Sequence, residues 1–117
     1  MNLLARLITA EAGGQTYNTQ IAVGAVVVNR VKSGIFPNSI SAVINQTSSG
    51  YYQFTTVQNG IINKPAQASA VSAALAALNG NDPTKNALFF HDDIGTSNAW
   101  SSAQPVSIKI DNMTFNY

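Results

Sequence analysis

Glu11 is the only glutamate of this 117-residue chain, and it occupies a helix position that disfavours a negative charge. The acid shares one helix face with three aliphatic side chains, those of Leu4, Leu7 and Ile8. Two glycines follow at 13 and 14 and are expected to end the helix, which puts Glu11 in its last turn. A helix C-terminus is already partly negative, and burial against aliphatic groups penalises a carboxylate. Both effects raise the pKa of Glu11 and predict an acid that can donate a proton near neutral pH.

A structural interpretation of Glu11 stands beside the catalytic one. A glutamate near the end of an amphipathic helix can pack its methylene stem and extend its carboxylate into solvent. The remaining polar residues therefore bear on whether this acid acts on a substrate.

The four aspartates include no obvious catalytic partner for the glutamate. Asp82 and Asp111 lie in predicted turns, where aspartate is favoured for its local backbone hydrogen bonds. Asp92 and Asp93 follow His91 after an apolar segment. These three residues could form a metal cluster or a base with its orienting partner, but such a strand end is more often a solvated loop. Three adjacent residues of an extended segment cannot all face one ion, so we expect no metal site.

Aromatic residues supply candidate contacts for a carbohydrate, because aromatic faces stack on sugar rings. They are Tyr51, Tyr52, Phe54 and Trp100. A role in the hydrophobic core is the stronger interpretation for Phe54. Trp100 lies in an N-A-W-S-S loop and is the better stacking candidate. His91 can line a cleft, or serve as a half-buried, hydrogen-bonded structural histidine.

The composition is that of one small domain covering residues 1–117. Hydrophobic residues make up 45% of the chain and charged residues only 9%, with a net charge of +1. No nucleic-acid partner or basic membrane patch is indicated. Asn, Gln, Ser and Thr carry the polarity, which suits carbohydrate binding and equally suits a plain extracellular or virion protein.

Several functional classes are excluded or disfavoured. The absence of cysteine removes disulfides, thiolate nucleophiles and cysteine-bound zinc. No serine-hydrolase elbow, phosphate loop or dinucleotide fingerprint occurs, and no apolar run is long enough to span a bilayer. The apolar N-terminus lacks a basic region and is interrupted by Glu11, so we expect a mature helix and not an export signal. The compartment stays open: an excised domain, a phage product released by another route and a protein whose leader has been removed all fit.

The elements that must position these residues follow from periodicity and turn signals. An α+β fold is predicted, with three to four helices and a minor antiparallel β element. Beyond the first helix, we expect a buried helix over 19–32, capped by Thr16 or Asn18 and stopped by Gly34, and a short helix over 39–45 capped by Ser39. An extended segment over 51–57 and a helix over 66–79 with Pro65 in its first turn follow. The last expected elements are a strand over 87–91 and a hairpin around Asp111 and Asn112.

Four blocks of the chain resemble the SleB/CwlJ-type cell-wall hydrolase family. They are L-I-T-A-E-A-G-G-Q, I-A-V-G-A-V-V-V-N-R-V followed by F-P-N-S-I, Y-Q-F-T-T-V-Q-N-G, and A-L-F-F-H-D with a later tryptophan. The resemblance implies a compact lysozyme-like catalytic domain that acts on peptidoglycan glycan strands. It implies that the essential glutamate is Glu11, and that the segment with Gln53, Phe54 and Thr55 lines the cleft. With Tyr52, His91 and Trp100, which are candidates because of their residue types, these three residues form the candidate substrate-binding set.

Other positions of the resemblance concern structure or depart from the family pattern. Asn29 and Arg30 match its N-R pair, for which we expect a role in anchoring helix ends and loops. Family members often carry a second acid where this chain has Gln15. Met113 stands where a histidine is expected near the C-terminus, so a role for that histidine does not transfer.

The shortage of carboxylates favours lytic transglycosylase chemistry. A glycosidase usually needs two carboxylates, but one suffices if the substrate supplies the nucleophile. The 6-hydroxyl of muramic acid can attack its own anomeric carbon, with an effective molarity on the order of 10⁵ M or more. Glu11 would then act as acid and base at the MurNAc–GlcNAc bond, with support from Gln53, Thr55 and the backbone. We expect a monomer that uses no cofactor.

Three alternatives remain open from the sequence. A hydrolytic muramidase would use Asp92 or Asp93 to activate water. An inactive peptidoglycan-binding module would have no need of a buried acid. A structural virion or spore component fits the neutral polar composition but leaves Glu11 unexplained.

Overall fold

The structure, a computed structural model, describes residues 2–92 and 105–117 and arranges them as helices with two small antiparallel sheets. The predicted α+β class is confirmed. The helices are α1 (Asn2–Ala12), α2 (Tyr17–Ser33), α3 (Ile40–Ile44), α4 (Thr55–Gln58) and α5 (Ala68–Leu78), with a 3₁₀ turn at Ile61–Asn63. The strands are β1 (Thr47–Ser48), β2 (Tyr51–Tyr52), β3 (Phe89–Asp92), β4 (Val106–Ile110) and β5 (Met113–Asn116).

The core forms where α1, α2 and α5 pack together. The three aliphatic residues that share a face with Glu11 are each fully buried. Gly24 lets the helices approach closely, since a Cβ there would lie 3.0 Å from Cδ1 of Ile8 and 3.1 Å from Cβ of Ala77. The apolar character of α2 on nearly all sides follows from this central position.

The predicted cap and stop residues of α2 are confirmed, although the helix runs from Tyr17 to Ser33 and so begins two residues earlier than expected. The side chain of Thr16 accepts a hydrogen bond from the backbone N–H of Thr19, which caps the helix start. Gly34 ends the helix in the left-handed region at φ 80°. Ser39 likewise caps α3 through the N–H of Ala42 at 3.1 Å.

The expectation of an extended segment over 51–57 is wrong beyond residue 52. Tyr51 and Tyr52 pair with β1, but the chain then turns into α4, where the N–H of Asn59 donates to the carbonyl of Thr55. Burial of Phe54 and Thr56 draws this segment against the helices, and that tertiary packing outweighs the strand propensity of its threonines. The chain therefore has five α-helices within the described residues rather than three or four.

The expected start of α5 is also too early. The helix begins at Ala68 after Gln67, so Pro65 lies outside its first turn. Gln67 is bound to α1 instead, because its backbone N–H donates to Oγ1 of Thr9 at 3.1 Å and its side-chain amide donates to the carbonyl of Gly13 at 2.7 Å. These two bonds fix where the helix can begin.

The C-terminal hairpin is confirmed, with its turn at Asp111 and Asn112 between β4 and β5. β5 is the central strand of a three-stranded antiparallel sheet with β3 on its other side. Asp111 adopts a left-handed φ of 53°, which aspartate tolerates better than most residues. Within the described residues, no helix has the length and apolar character that a membrane crossing requires.

Candidate functional site

The side chain of Glu11 is half-buried at the C-terminal end of α1. The hydroxyl of Thr56 donates a hydrogen bond of 2.7 Å to its Oε2 atom. Burial raises the pKa of Glu11 above its usual 4.5, and the hydrogen bond from Thr56 lowers it by a smaller amount. The interpretation of Glu11 as a solvent-extended surface residue is therefore wrong. Its surroundings shift the pKa of Glu11 in the direction that the sequence predicted.

Thr56 reaches Glu11 because the start of α4 is anchored. Phe54, the residue before the helix, is 5% exposed, and its ring stacks on Phe90 with centroids 6.0 Å apart. The guanidinium of Arg30 also lies 5.3 Å from the Phe54 ring centroid. Phe54 thus fixes the position from which Thr56 is presented to the acid.

Arg30 is a buried cation held mainly by aromatic rings. Its Nε donates to the carbonyl of Leu88 at 2.7 Å, and its guanidinium lies 4.8 Å from the Phe36 centroid and 5.3 Å from that of Phe89. Burial lowers the pKa of Arg30 to about 10. The neighbouring Asn29 bonds the 82–87 loop, so the expected anchoring role of this N-R pair is confirmed.

Asp82 and Asp111 both serve structural roles, as expected of turn aspartates. The Asp82 carboxylate accepts bonds from the Asn29 amide, from the backbone and hydroxyl of Thr84, and from the N–H of Asn86. Asp111 accepts hydrogen bonds from the hydroxyls of two threonines at the start of α2, which joins the hairpin turn to that helix. At Asp82, partial burial raises the pKa, but the hydrogen bonds together lower it by more, so the net shift of its pKa is downward. Hydrogen bonding likewise lowers the pKa of Asp111.

The remaining candidates divide by exposure. Gln53 and Thr55 are exposed, and Tyr52 is 39% exposed, so these side chains are accessible next to the segment that contacts Glu11. Phe54 is different, because its buried ring packs in the core and is not available to a sugar. Its place among the substrate-binding residues is therefore wrong, and the core interpretation is confirmed.

Two candidate residues and two acids lie at the end of the described segment 2–92 or outside the described residues. His91 is half-buried on β3, and Asp92 is the last residue of that strand. Asp93 and Trp100 lie outside the described residues. Across 2–92 and 105–117, no group of three or more His, Cys, Asp or Glu could hold a metal ion.

Sequence reasoning missed Thr56, although it selected the adjacent Thr55. No signal in the F-T-T-V letters separates the two threonines, and only the structure shows residues 54 and 56 buried and residue 55 exposed. Met113, in the position where histidine was expected, is 3% exposed and belongs to the core.

The arrangement can perform general acid and base catalysis. A neutral carboxyl group can protonate a leaving oxygen, and the Thr56 hydroxyl can stabilise the carboxylate that results. Exposed hydroxyl, amide and aromatic groups follow along the chain at residues 51–55, and such groups suit a carbohydrate.

The chain is similar in sequence to a known protein family and to several of its characterised members. A family model described as Cell Wall Hydrolase matches residues 14–116, so Glu11 lies three residues before the matched range. A spore cortex-lytic enzyme from Bacillus cereus is 37% identical over 110 residues, covering 94% of this chain and 41% of that protein. One from Bacillus subtilis is 35% identical over 105 residues, covering 90% and 33%. The chain thus spans less than half the length of these relatives.

Two solved structures are similar over nearly the entire chain. The catalytic domain of the germination-specific lytic transglycosylase SleB from Bacillus anthracis has a TM-score of 0.87 at 36% identity, covering 98% of this chain and 91% of that one. The catalytic domain of the Bacillus cereus SleB protein has a TM-score of 0.85 at 36% identity, with coverages of 98% and 87%.

Proposed function

The chain belongs to the cell wall hydrolase family, and on that premise we propose that residues 1–117 form a catalytic domain that cleaves peptidoglycan glycan strands as a lytic transglycosylase. The observation that carries the proposal is the environment of Glu11. Its carboxyl group has a raised pKa, accepts a hydrogen bond from a buried hydroxyl, and adjoins an exposed polar segment. The similar SleB domain from Bacillus anthracis, which is named a lytic transglycosylase, supports the same reaction.

The reaction begins with proton transfer from Glu11 to the oxygen that links MurNAc to GlcNAc. The bond between that oxygen and the anomeric carbon of MurNAc breaks, and GlcNAc leaves with the proton. The 6-hydroxyl of the same MurNAc residue then bonds to the anomeric carbon, and Glu11 accepts the hydroxyl proton. The product is a 1,6-anhydromuramyl end, no water is consumed, and Glu11 returns to its protonated form.

Thr56 has a defined place in this cycle. When Glu11 has given up its proton, the carboxylate keeps the hydrogen bond from the Thr56 hydroxyl. A hydrogen bond to an ionised acceptor is stronger than one to a neutral acceptor, so it stabilises the intermediate more than the starting state. Thr56 is therefore a positioning residue that helps one acid serve both steps.

Glu11 is proposed as the single catalytic acid because two of the other carboxylates already have structural roles. Asp82 and Asp111 are occupied by structural hydrogen bonds. Asp92 and Asp93 are the residues that a hydrolytic muramidase would use, so product chemistry must separate the two reactions. Gln53, Thr55, Tyr52, His91 and Trp100 are proposed as substrate contacts.

Mass spectrometry of muropeptides released from purified peptidoglycan tests the proposal. We expect anhydromuramyl ends, and a rate loss of about 10²- to 10⁴-fold in Glu11→Gln, the usual contribution of a general acid. Reducing MurNAc ends would instead establish hydrolysis. Equal behaviour of the two proteins, with both folded by circular dichroism, would leave a binding module.

A further inference from the structure

A polar groove lies at the C-terminal end of α2. The last turns of α2, the end of α5 and the loop at 80–86 surround a depression of about 120 Å³. A more open hollow of about 280 Å³ adjoins it, and Asn29, Lys32 and Asn86 line both. A single water needs only about 10–15 Å³ of such space, so the groove can admit a larger chemical group.

The loop that forms one wall is held rigidly. Asp82 accepts four hydrogen bonds, from the Asn29 amide, the backbone and hydroxyl of Thr84, and the backbone of Asn86. Asn86 and the preceding Lys85 adopt left-handed φ values of 74° and 58°. Non-glycine residues persist in this region only where the surrounding structure fixes them. The wall is therefore preformed.

The groove presents polar groups that the fold does not use. The side-chain carboxamides of Asn81 and Asn86 have no hydrogen-bond partner within the described residues, and neither does the ammonium group of Lys32. Asn29 uses its amide nitrogen for Asp82 and for the carbonyl of Ala87, which leaves its side-chain oxygen as an acceptor. Donors and acceptors thus face the same concave surface.

The floor of the groove is apolar and small-featured, formed by Ala25, Val28 and Ala77. An acetamido group matches this combination, because its methyl can contact the floor while its N–H and carbonyl bond to carboxamides. The Lys32 ammonium can donate to sugar hydroxyls. We propose that the polar groove is a second, noncatalytic binding site for N-acetylated amino sugars of the glycan strand.

The position of the groove separates it from Glu11. α1 ends at Ala12 and α2 begins at Tyr17, so the acid lies near the start of α2. Lys32 follows Thr16 by 16 residues of helix, which corresponds to about 24 Å along the axis. The inference rests on the proposed function. A site at this distance would bind the glycan strand away from the bond that is cleaved.

Titration of ¹⁵N-labelled Glu11→Gln protein with N,N′-diacetylchitobiose tests the site, with cellobiose as the matched sugar that lacks acetamido groups. We expect the side-chain amide signals of Asn81 and Asn86 to shift with the first sugar and to stay in place with the second. Absence of these shifts, or equal shifts with cellobiose, would overturn the inference.

A second experiment measures retention on insoluble peptidoglycan. The substitutions Asn81→Ala and Asn86→Gly, added to Glu11→Gln, remove two carboxamides, and glycine accepts the left-handed backbone at 86. We expect at least fivefold weaker retention, whereas Asn38→Ala, at an exposed site outside the groove, should bind like the parent. Unchanged retention of the double substitution contradicts the inference. Muropeptide release by the wild type is measured separately, so failure of the groove and failure of the proposed reaction are distinguishable.

Discussion

The hydroxyl of Thr56 donates a 2.7 Å hydrogen bond to Oε2 of Glu11, joining residues 45 positions apart in the chain. The two influences on the acid oppose each other, since burial raises the pKa of Glu11 and this bond lowers it. Burial has the larger effect, so the net shift of the Glu11 pKa is upward. The hydrogen bond keeps the ionised form accessible, which a residue that both gives and retakes a proton requires.

Thr56→Val is expected to move the alkaline limb of the pH–activity profile to higher pH. Loss of the hydrogen bond removes the influence that lowers the pKa of Glu11, and the reaction needs the protonated acid at its first step. The maximal rate should fall by about tenfold, the scale of one hydrogen bond of about 1.4 kcal/mol in the transition state. Thr55→Val is the matched control and should leave the position of that limb unchanged. A limb that does not move in Thr56→Val would contradict the role assigned to Thr56.

The sequence predicted those helix ends and turns that are set by the residues at the ends and turns themselves. Thr16 and Gly34 enclose α2, and Ser39 starts α3, because caps act within one helical turn. The hairpin turn at Asp111 was predictable for the same reason. The position of Glu11 on an apolar helix face also needed only the spacing of its neighbours.

The parts that sequence missed depend on distant contacts. The start of α5 is set by bonds from Gln67 to α1, and the turn into α4 by burial of Phe54 and Thr56. Along α5 the sequence draws attention to its larger side chains, but alanines face the core and Leu75 remains 46% exposed. Close helix packing selects the small residues, and a single sequence does not reveal which neighbour is that close.

Asp82→Asn should make the protein less stable at neutral pH and remove part of its acid sensitivity. The pKa of Asp82 is lowered in the folded state, so its contribution is present above the ordinary aspartate pKa and is lost as pH falls through the lowered value. We expect a loss of roughly 1–2 kcal/mol at pH 7, because the site is partly exposed and screened. Urea unfolding at pH 7 and pH 3 measures this. Equal stability differences at the two pH values would argue against the carboxylate as the cause.

Gly24→Ala tests the packing that holds α1 in place. An added Cβ would lie 3.0 Å from Cδ1 of Ile8 and 3.1 Å from Cβ of Ala77, closer than ordinary contact. Overpacking of about 1–3 kcal/mol should exceed the gain in helix propensity of about 1 kcal/mol, so thermal unfolding should occur at lower temperature. Gly14→Ala, where the new methyl meets nothing within 4 Å, should be neutral or slightly stabilising. A stabilised Gly24→Ala would show that the three helices can separate without penalty.

Glu11→Gln should be more stable than the wild type at neutral pH while losing activity. Because the folded-state pKa of Glu11 is raised, the wild type loses stability as pH rises from the ordinary value of 4.5 through the raised one, and glutamine does not ionise. The stability difference should vanish below the ordinary pKa. Calorimetric unfolding temperatures at pH 4 and pH 7 provide the comparison. A variant less stable than the wild type at pH 7 would indicate that the carboxylate stabilises the fold.

The most direct test is the titration of the Glu11 carboxyl group itself by carbon NMR. Because the chain has a single glutamate, labelling glutamate at its side-chain carboxyl carbon gives one titrating resonance to follow. The proposed general acid requires a midpoint above 4.5, and a further rise in Thr56→Val. A midpoint at or below 4.5 would contradict the central claim, since the surroundings of Glu11 would then not raise its pKa.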